Sequence, residues 1–282
     1  VKILITGANG FLGKHFKEHY SNEEHKVFSF GRQQLDVTDS KAVEEFFRNN
    51  HVDIVLHTAV KGGRRDQLDT LDDFIDNMLM FRNLSKYSGQ YGLMINFGSG
   101  AEFDRSRQIQ NAEEDEIYER WPSDYYGQSK NLITREINKH SNIINLRLFG
   151  CFGLHEKKNR MIKGNILKTE QDKDIVIYQN KMMDFFYIKD LCKVVDYIIK
   201  DPENFPYKDL NMCYKEKTDL EAVSKIIVNN SLYKKSIRVI IEKDGMGNSY
   251  SGCSDKLLSL GVDFIGLESG IAEVYKNLCR AK

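Results

Sequence analysis

The chain is 282 residues long and carries 41 Lys+Arg against 41 Asp+Glu, a formal net charge of zero. A surface that binds a phosphate polymer needs a basic surplus to neutralise it, so a nucleic-acid polymer is excluded as a partner. With 41% apolar and 29% charged residues, the composition is that of an ordinary soluble globular protein, neither disordered nor membrane-embedded.

The opening run, residues 1–6, is one strand long and passes straight into glycines, so it reads as neither a secretory h-region nor a membrane span. Short apolar runs at 2–6, 26–30, 53–58, 93–97 and 143–148 fit strands buried on both faces. Stretches with helical spacing separate them, at 11–20, 42–50, 71–88 and 124–140. This alternation predicts right-handed βαβ units and a parallel sheet. Beyond residue 150 the rhythm breaks. A basic helical piece at 157–168 leads to strands at 174–178 and 184–188 and a helix from Asp190. A helix at 218–231, an extended run at 236–242 and a helix at 269–279 complete the chain. The expected fold is α/β, a Rossmann-type doubly wound parallel sheet with a smaller, discontinuous α/β substrate lobe. Residues 1–150, with 179–200 returning, are assigned to the dinucleotide-binding domain; 151–178 and 201–282 are assigned to the substrate lobe. The cleft between lobes is the expected site. The five cysteines form no CxxC pair and no Cys/His ligand spacing, so no disulfide framework and no metal site is expected. The chain reads as cytoplasmic.

Residues 3–13 read I-L-I-T-G-A-N-G-F-L-G, between a strand and an amphipathic helix. Gly7 permits the tight turn, Gly10 lets a pyrophosphate approach the backbone, and Gly13 allows close helix–strand packing. The phosphates then meet free N–H groups at the helix start, those of Phe11, Leu12 and Gly13. After the second strand the chain reads F-S-F-G-R, ending in Arg32 with no acid in the position that would bind a ribose 2′-OH. An arginine there suits a 2′-phosphate, which favours NADPH and leaves NAD possible. Asp36, with Val37 beside it, is placed toward the adenine edge.

Tyr126 and Lys130, in Y-Y-G-Q-S-K at 125–130, lie one helical turn apart on one face. A nearby ammonium favours phenolate and brings the phenol toward the working range of an acid–base group. Ser99 follows a strand at the sheet edge where ligands bind, and its hydroxyl can bond a reacting carbonyl or alcohol oxygen.

On these motifs the sequence resembles the extended short-chain dehydrogenase/reductase family of nucleotide-sugar-modifying, NAD-dependent epimerase/dehydratase enzymes. T-G-A-N-G-F-L-G, H-T-A at 57–59, Ser99, Y-G-Q-S-K, M-M-D-F-F-Y-I-K-D at 182–190 and S-D-K-L-L-S-L-G at 254–261 fall in the family's order. Within it the likeness is closest to the GDP-L-fucose synthase-like reductases. That likeness is carried by G-R-Q-Q-L-D-V-T-D-S-K-A-V-E-E-F-F at 31–47, A-V-K-G-G at 59–63, and D-F-I-D-N-M-L, which contains Asn77. The resemblance implies Ser99, Tyr126 and Lys130 as catalytic residues. It places His57, Ala59 and Lys130 beside the cofactor, and Lys61, Gly100, Arg160, Lys163 and Lys181 toward a nucleotide-sugar substrate. It also implies a homodimer through the apolar stripes of 71–88 and 124–140, for which intramolecular core is the competing reading, and a role in surface polysaccharide biosynthesis.

Departures from the family pattern narrow the reaction. Epimerising relatives carry a Cys two residues beyond the Ser, and here that position is Ala101. Their His falls near Arg160, with His155 close by. Epimerisation needs proton donors and acceptors on both faces of the sugar, and alanine supplies none. The expectation is an NADPH-dependent reductase of a nucleotide-linked 4-keto-6-deoxy sugar without epimerase steps; Glu102 and His155 read as surface residues, the alternative being that one of them is a replacement acid–base group. The dehydratases' Asp-Glu pair is replaced by Gly100-Ala101. The usual second-lobe Arg is Met183, with Lys181 a stand-in, and the usual Asn after the sixth strand is Gly150. The run E-E-D-E at 113–116 reads as a solvated loop face. The alternatives are a nucleotide-sugar 4-epimerase with tightly bound NAD and a non-catalytic dinucleotide sensor. Charge neutrality also hides two halves. Residues 1–150 hold 19 basic and 22 acidic groups, the remainder 22 and 19, and 157–168 holds five cations and no acid. Such a segment reads either as a solvated helix face or, in a sugar-nucleotide enzyme, as the place where a diphosphate is held.

Overall fold

The computed structural model describes residues 1–21, 24–64 and 67–280. In chain order the strands and helices are β1 (Lys2–Thr6), α1 (Phe11–His19), β2 (Lys26–Phe30), α2 (Ser40–Asn49), β3 (Ile54–His57), α3 (Leu71–Ser85), β4 (Leu93–Ser99), β5 (Ile109–Ala112), α4 (Tyr125–Ile137) and β6 (Ile143–Leu148). They continue with β7 (Cys151–Phe152), α5 (Met161–Thr169), β8 (Ile175–Asn180), β9 (Phe186–Tyr187), α6 (Ile188–Lys200), β10 (Asp209–Met212), α7 (Leu220–Asn229), β11 (Val239–Met246), β12 (Tyr250–Gly252), α8 (Asp255–Leu258) and α9 (Leu267–Arg280). They form two compact units. The first holds Val1–Ser106, Glu113–Leu148 and Val195–Asn211; the second holds Arg107–Ala112, Phe149–Val194 and Met212–Lys282.

A six-stranded sheet in the order β10-β6-β4-β3-β1-β2 organises the first unit. The pairs β1–β2, β1–β3, β3–β4 and β4–β6 are all parallel. β3 and β4 are buried at every residue, which explains why they read as continuous apolar runs rather than alternations. Alternate residues nonetheless serve opposite faces. Leu4, Val55 and Met94 join Val43 and Phe47 of α2, Phe81 and Leu84 of α3, and Ile133 and Ile137 of α4 in one core cluster. Phe97, on the other face of β4, packs at 5.2 Å against Phe16 of α1. Helices therefore cover both faces, the doubly wound arrangement the sequence predicts.

The helices start where side chains supply the missing amide partners. Asp39 accepts from Lys41 and Ala42 at the head of α2, and Thr70 and Asp73 form a capping box on α3. The expected helix at 157–168 begins later, at Met161. Lys157 to Asn159 are exposed and make turns instead, because no apolar residue there gives a helix a face to bury. In the second unit β8 and β11, β5 and β12, and β7 and β9 form three parallel pairs. Among the described residues no helix is long and apolar enough to cross a membrane.

Candidate active site

The strand order reverses between β1 and β3, and ligands of open α/β sheets bind outside the carboxyl ends at such a point. Thr6 ends β1, and its Oγ1 lies 2.9 Å from Nδ1 of His57, the last residue of β3. Gly7 follows with φ +66°, and a Cβ there would stand 2.7 Å from the backbone of Ala59. Both the dihedral and the space require glycine. The Gly10 N–H donates to the Gly7 carbonyl at 2.8 Å, and a Cβ on Gly13 would come within 2.4 Å of that same oxygen. α1 starts at Phe11 with no side-chain cap and no acid in its first turn. The amides of Phe11, Leu12 and Gly13 are therefore the orphan donors of a helix start, suited to an anion. A dinucleotide's pyrophosphate fits this turn, where close backbone packing at Gly7 and Gly13 precedes an uncapped helix start.

The loop after β2 lies beside the cradle, where the Ala8 N–H donates to the Phe30 carbonyl at 3.0 Å. Exposed Arg32 donates from Nε to Asp36 Oδ2 at 2.8 Å. Asp36 Oδ1 accepts from the Thr38 amide at 3.0 Å and from its hydroxyl at 2.7 Å. Burial pushes the Asp36 carboxyl up, but the bonds from Thr38 and Arg32 outweigh it and hold the group below the usual carboxylate range. Asp36 thus holds one edge of the exposed Arg32 guanidinium. Val37 is buried, and its carbonyl accepts from Asn83 at 3.0 Å.

Ser99 closes β4 and caps a 3-10 turn over Gly100–Phe103. Its Oγ accepts from the Ala101 amide at 3.2 Å, and Glu102 reaches back to accept from the Ser99 amide at 2.8 Å. Glu102 is the main correction to the sequence reading. Neither a surface residue nor a replacement acid–base group, it is fully buried, with Oε2 taking Thr134 at 3.0 Å and Arg147 at 2.7 Å. Its carboxylate is committed to holding the Ser99 turn.

α4 meets this turn through Gly127, where a Cβ would lie 2.6 Å from the Ala101 carbonyl. Lys130 is buried and donates from Nζ to the Phe97 carbonyl at 2.8 Å. Burial pulls its ammonium down to about 8, against the pull of Glu102. His57 is brought down to about 3 by burial and by the charge of Lys130, so its imidazole is neutral. Tyr126, one turn before Lys130, is half-buried with its ring against Gly63, where a Cβ would stand 2.8 Å from Cζ. Asn77 fixes that segment. It accepts from the Lys61 amide at 2.9 Å and donates to the Lys61 carbonyl at 3.1 Å and to Ser129 Oγ at 3.0 Å. Sequence reading missed this clamp, for which the motif around Asn77 was the only signal.

The expected substrate residues fall in both units. In the first, Lys61 places its ammonium 3.3 Å from Asp76, and Gly100 is buried in the Ser99 turn. In the second, Arg160 caps α5 with Nε 3.7 Å from Glu156, and Lys163 donates to the Leu154 carbonyl at 2.6 Å. The Lys181 amide lies 3.0 Å from Asn180 Oδ1, and His155 is half-buried. A Cβ on Gly150 would meet the Asp184 carbonyl at 2.8 Å, which leaves no room for an asparagine, and Met183 is buried. Of the acidic run 113–116, Glu114 turns inward and accepts from the Asn211 amide at 2.9 Å, contrary to a wholly solvated face.

A dinucleotide cradle at the switch point, with a serine, a tyrosine and a buried lysine at the neighbouring strand end, is the arrangement of a Rossmann-type oxidoreductase. The chain belongs to the NAD dependent epimerase/dehydratase family, whose sequence profile matches residues 3–213, and is an enzyme of the extended short-chain dehydrogenase/reductase type. It is 25% identical over 103 residues to GDP-L-colitose synthase of Yersinia pseudotuberculosis, a match spanning 35% of this chain and 33% of that protein. It is 21% identical to GDP-6-deoxy-D-talose 4-dehydrogenase of Aggregatibacter actinomycetemcomitans over 98% of each chain. The fold matches the NADP-bound GDP-mannoheptose C4 reductase of Campylobacter jejuni with a TM-score of 0.81 at 21% identity, over 98% of this chain and 97% of that one.

Proposed function

We propose that the protein is an NADPH-dependent reductase of a nucleotide-linked 4-keto-6-deoxy sugar that does not epimerise its substrate, acting in surface polysaccharide biosynthesis. The observation that carries this reading is the Ser99 turn: it presents a hydroxyl and a backbone beside the Tyr126 helix, while its one acid, Glu102, is tied to Arg147. In this reading Lys61, Gly100, Arg160, Lys163 and Lys181 bind the substrate. NADPH, held by the cradle of Gly7, Gly10 and Gly13 and by Arg32, supplies the hydride when bound. Tyr126 donates its phenolic proton to the oxygen as negative charge develops there. Ser99 orients that oxygen by a hydrogen bond. Lys130 stabilises the phenolate left behind.

The test is turnover of GDP-4-keto-6-deoxy-D-mannose with NADPH in heavy water, followed by mass spectrometry of the product. Reduction alone adds no carbon-bound deuterium, because the proton delivered to oxygen exchanges. Deuterium at C3 or C5 would show that epimerase chemistry is retained, and tightly bound NAD in the purified protein would favour the 4-epimerase alternative.

Arg32 carries the cofactor preference. Replacing it by Ala should weaken NADPH binding about 10- to 100-fold, the worth of a charge-assisted bond to the 2′-phosphate, and leave NADH binding unchanged. Calorimetric titration with both nucleotides measures the difference, and equal losses for the two would remove the 2′-phosphate role from Arg32.

A homodimer is also supported. α3 leaves Leu71, Ile75 and Leu79 exposed at four-residue spacing, while its Phe81 and Leu84 serve the core. Ile75→Asp should convert a dimer to a monomer in sedimentation. A wild-type protein that sediments as a monomer would end that proposal.

A further inference from the structure

Arg105 follows the turn that Ser99 opens, and the mechanism above does not use it. Its backbone is fixed by Asp104, which takes left-handed conformation at φ 72° and accepts from the Ser106 hydroxyl at 2.7 Å and the Ser123 hydroxyl at 3.0 Å. From there the guanidinium donates to both oxygens of Asp124, from Nη2 at 2.7 Å and Nε at 3.2 Å. Nη2 also donates to Asp69 Oδ2 at 3.2 Å. Each carboxylate has a second task. Asp124 caps α4 by accepting from the Gly127 amide at 2.8 Å, and Asp69 accepts from the Gly63 amide at 2.6 Å. One side chain, 35% exposed, therefore ties the head of the Tyr126 helix to the glycine turn that rests on the Tyr126 ring. The guanidinium carbon itself lies 5.5 Å from the centroid of that ring. The phenol is bounded by the Gly63 backbone and by a cation near its face.

We propose that Arg105 is a positioning residue for Tyr126: with Asp69 and Asp124 it closes a clasp that holds the phenol in one orientation for proton delivery. Arg105 is 35% and the Asp69 carboxylate 7% exposed, and both partners flank the phenol, so loss of the clasp acts on its orientation, where small displacements carry large rate effects. The planar fork of arginine reaches two carboxylates at once, whereas a lysine ammonium serves as a point charge. The proposal rests on the reading of Tyr126 as proton donor, and its test separates the two.

Protein labelled with 3-fluorotyrosine gives a fluorine resonance for Tyr126, assigned by its loss in Tyr126→Phe. In Arg105→Met and in Asp69→Asn that resonance should shift and broaden; in Arg105→Lys it should move part of the way. With NADPH and GDP-4-keto-6-deoxy-D-mannose as probe, Arg105→Met should lower kcat about tenfold while the Kd for NADPH stays at its wild-type value. A Tyr126 resonance unmoved in both Arg105→Met and Asp69→Asn overturns the clasp, whether or not the probe turns over. Turnover retained by Tyr126→Phe overturns the proton-donor reading instead, and the resonance still decides the clasp.

Discussion

Tyr126→Phe should lower kcat by about 10³-fold, within the range that a positioned general acid contributes, and leave NADPH affinity within about twofold. The asymmetry follows from where the hydroxyl sits. The ring packs on Gly63 and lies near Arg105, contacts that Phe retains, so only the proton is removed. The cradle for the pyrophosphate is built from Gly7, Gly10 and Gly13 and does not involve α4. The wild-type rate should also fall as pH rises past about 8, because burial brings the Lys130 ammonium to that range and an uncharged amine no longer supports a phenolate. Single-turnover NADPH oxidation across pH measures both effects. Normal turnover by the Phe variant would end the assignment of Tyr126.

Much of the cofactor half of the site is legible in the sequence because it is local. The apolar runs at 2–6, 26–30 and 143–148 coincide with β1, β2 and β6. The glycines follow β1 within a few residues, and Tyr126 and Lys130 share one helical face. β10, read as D-L-N-M, was hidden for the opposite reason. It is four residues long, and two of them, Asp209 and Asn211, face the buried guanidinium of Arg147 rather than an apolar core. Its polar–apolar alternation spans only four residues, too few to mark a strand. β5, β7 and β12 are likewise too short to carry a pattern. Glu102 was misread because its partners, Thr134 and Arg147, lie 32 and 45 residues away in the chain. Alone, a glutamate after Ser-Gly-Ala reads as exposed; only the β4–β6 pairing, with Gly98 opposite Arg147, brings it under the site.

That buried network makes Arg147 the residue whose loss should cost most. Arg147→Met should destabilise the fold by about 3–5 kcal/mol, the penalty for stranding buried charges. Arg147 is fully buried. It donates to Glu102 at 2.7 Å, to Asn211 at 2.9 Å and to Asp209, and its guanidinium lies 4.7 Å from the Phe103 ring. A methionine keeps the volume and the ring contact but leaves two carboxylates facing each other without a cation. Burial already pushes Asp209 up to about 6, with Arg147 pulling the other way and the charge of Glu102 adding to the rise. A carboxyl whose folded pKa lies above its unfolded value loses stabilisation as pH rises from the unfolded to the folded value, and no further above it. Without Arg147 the folded value climbs, so the variant should keep losing stability above pH 6, where the wild-type contribution from Asp209 has levelled. Urea unfolding of both proteins from pH 5 to 8 should show the gap widening with pH. Replacing Glu102 by Gln in the Arg147→Met background removes one of the stranded charges and should recover part of the loss. A gap below about 1 kcal/mol that does not vary with pH would mean that water or local rearrangement screens the pair, as at a surface site. Because Glu102 also holds the Ser99 amide, the destabilised variant should lose activity ahead of its global unfolding.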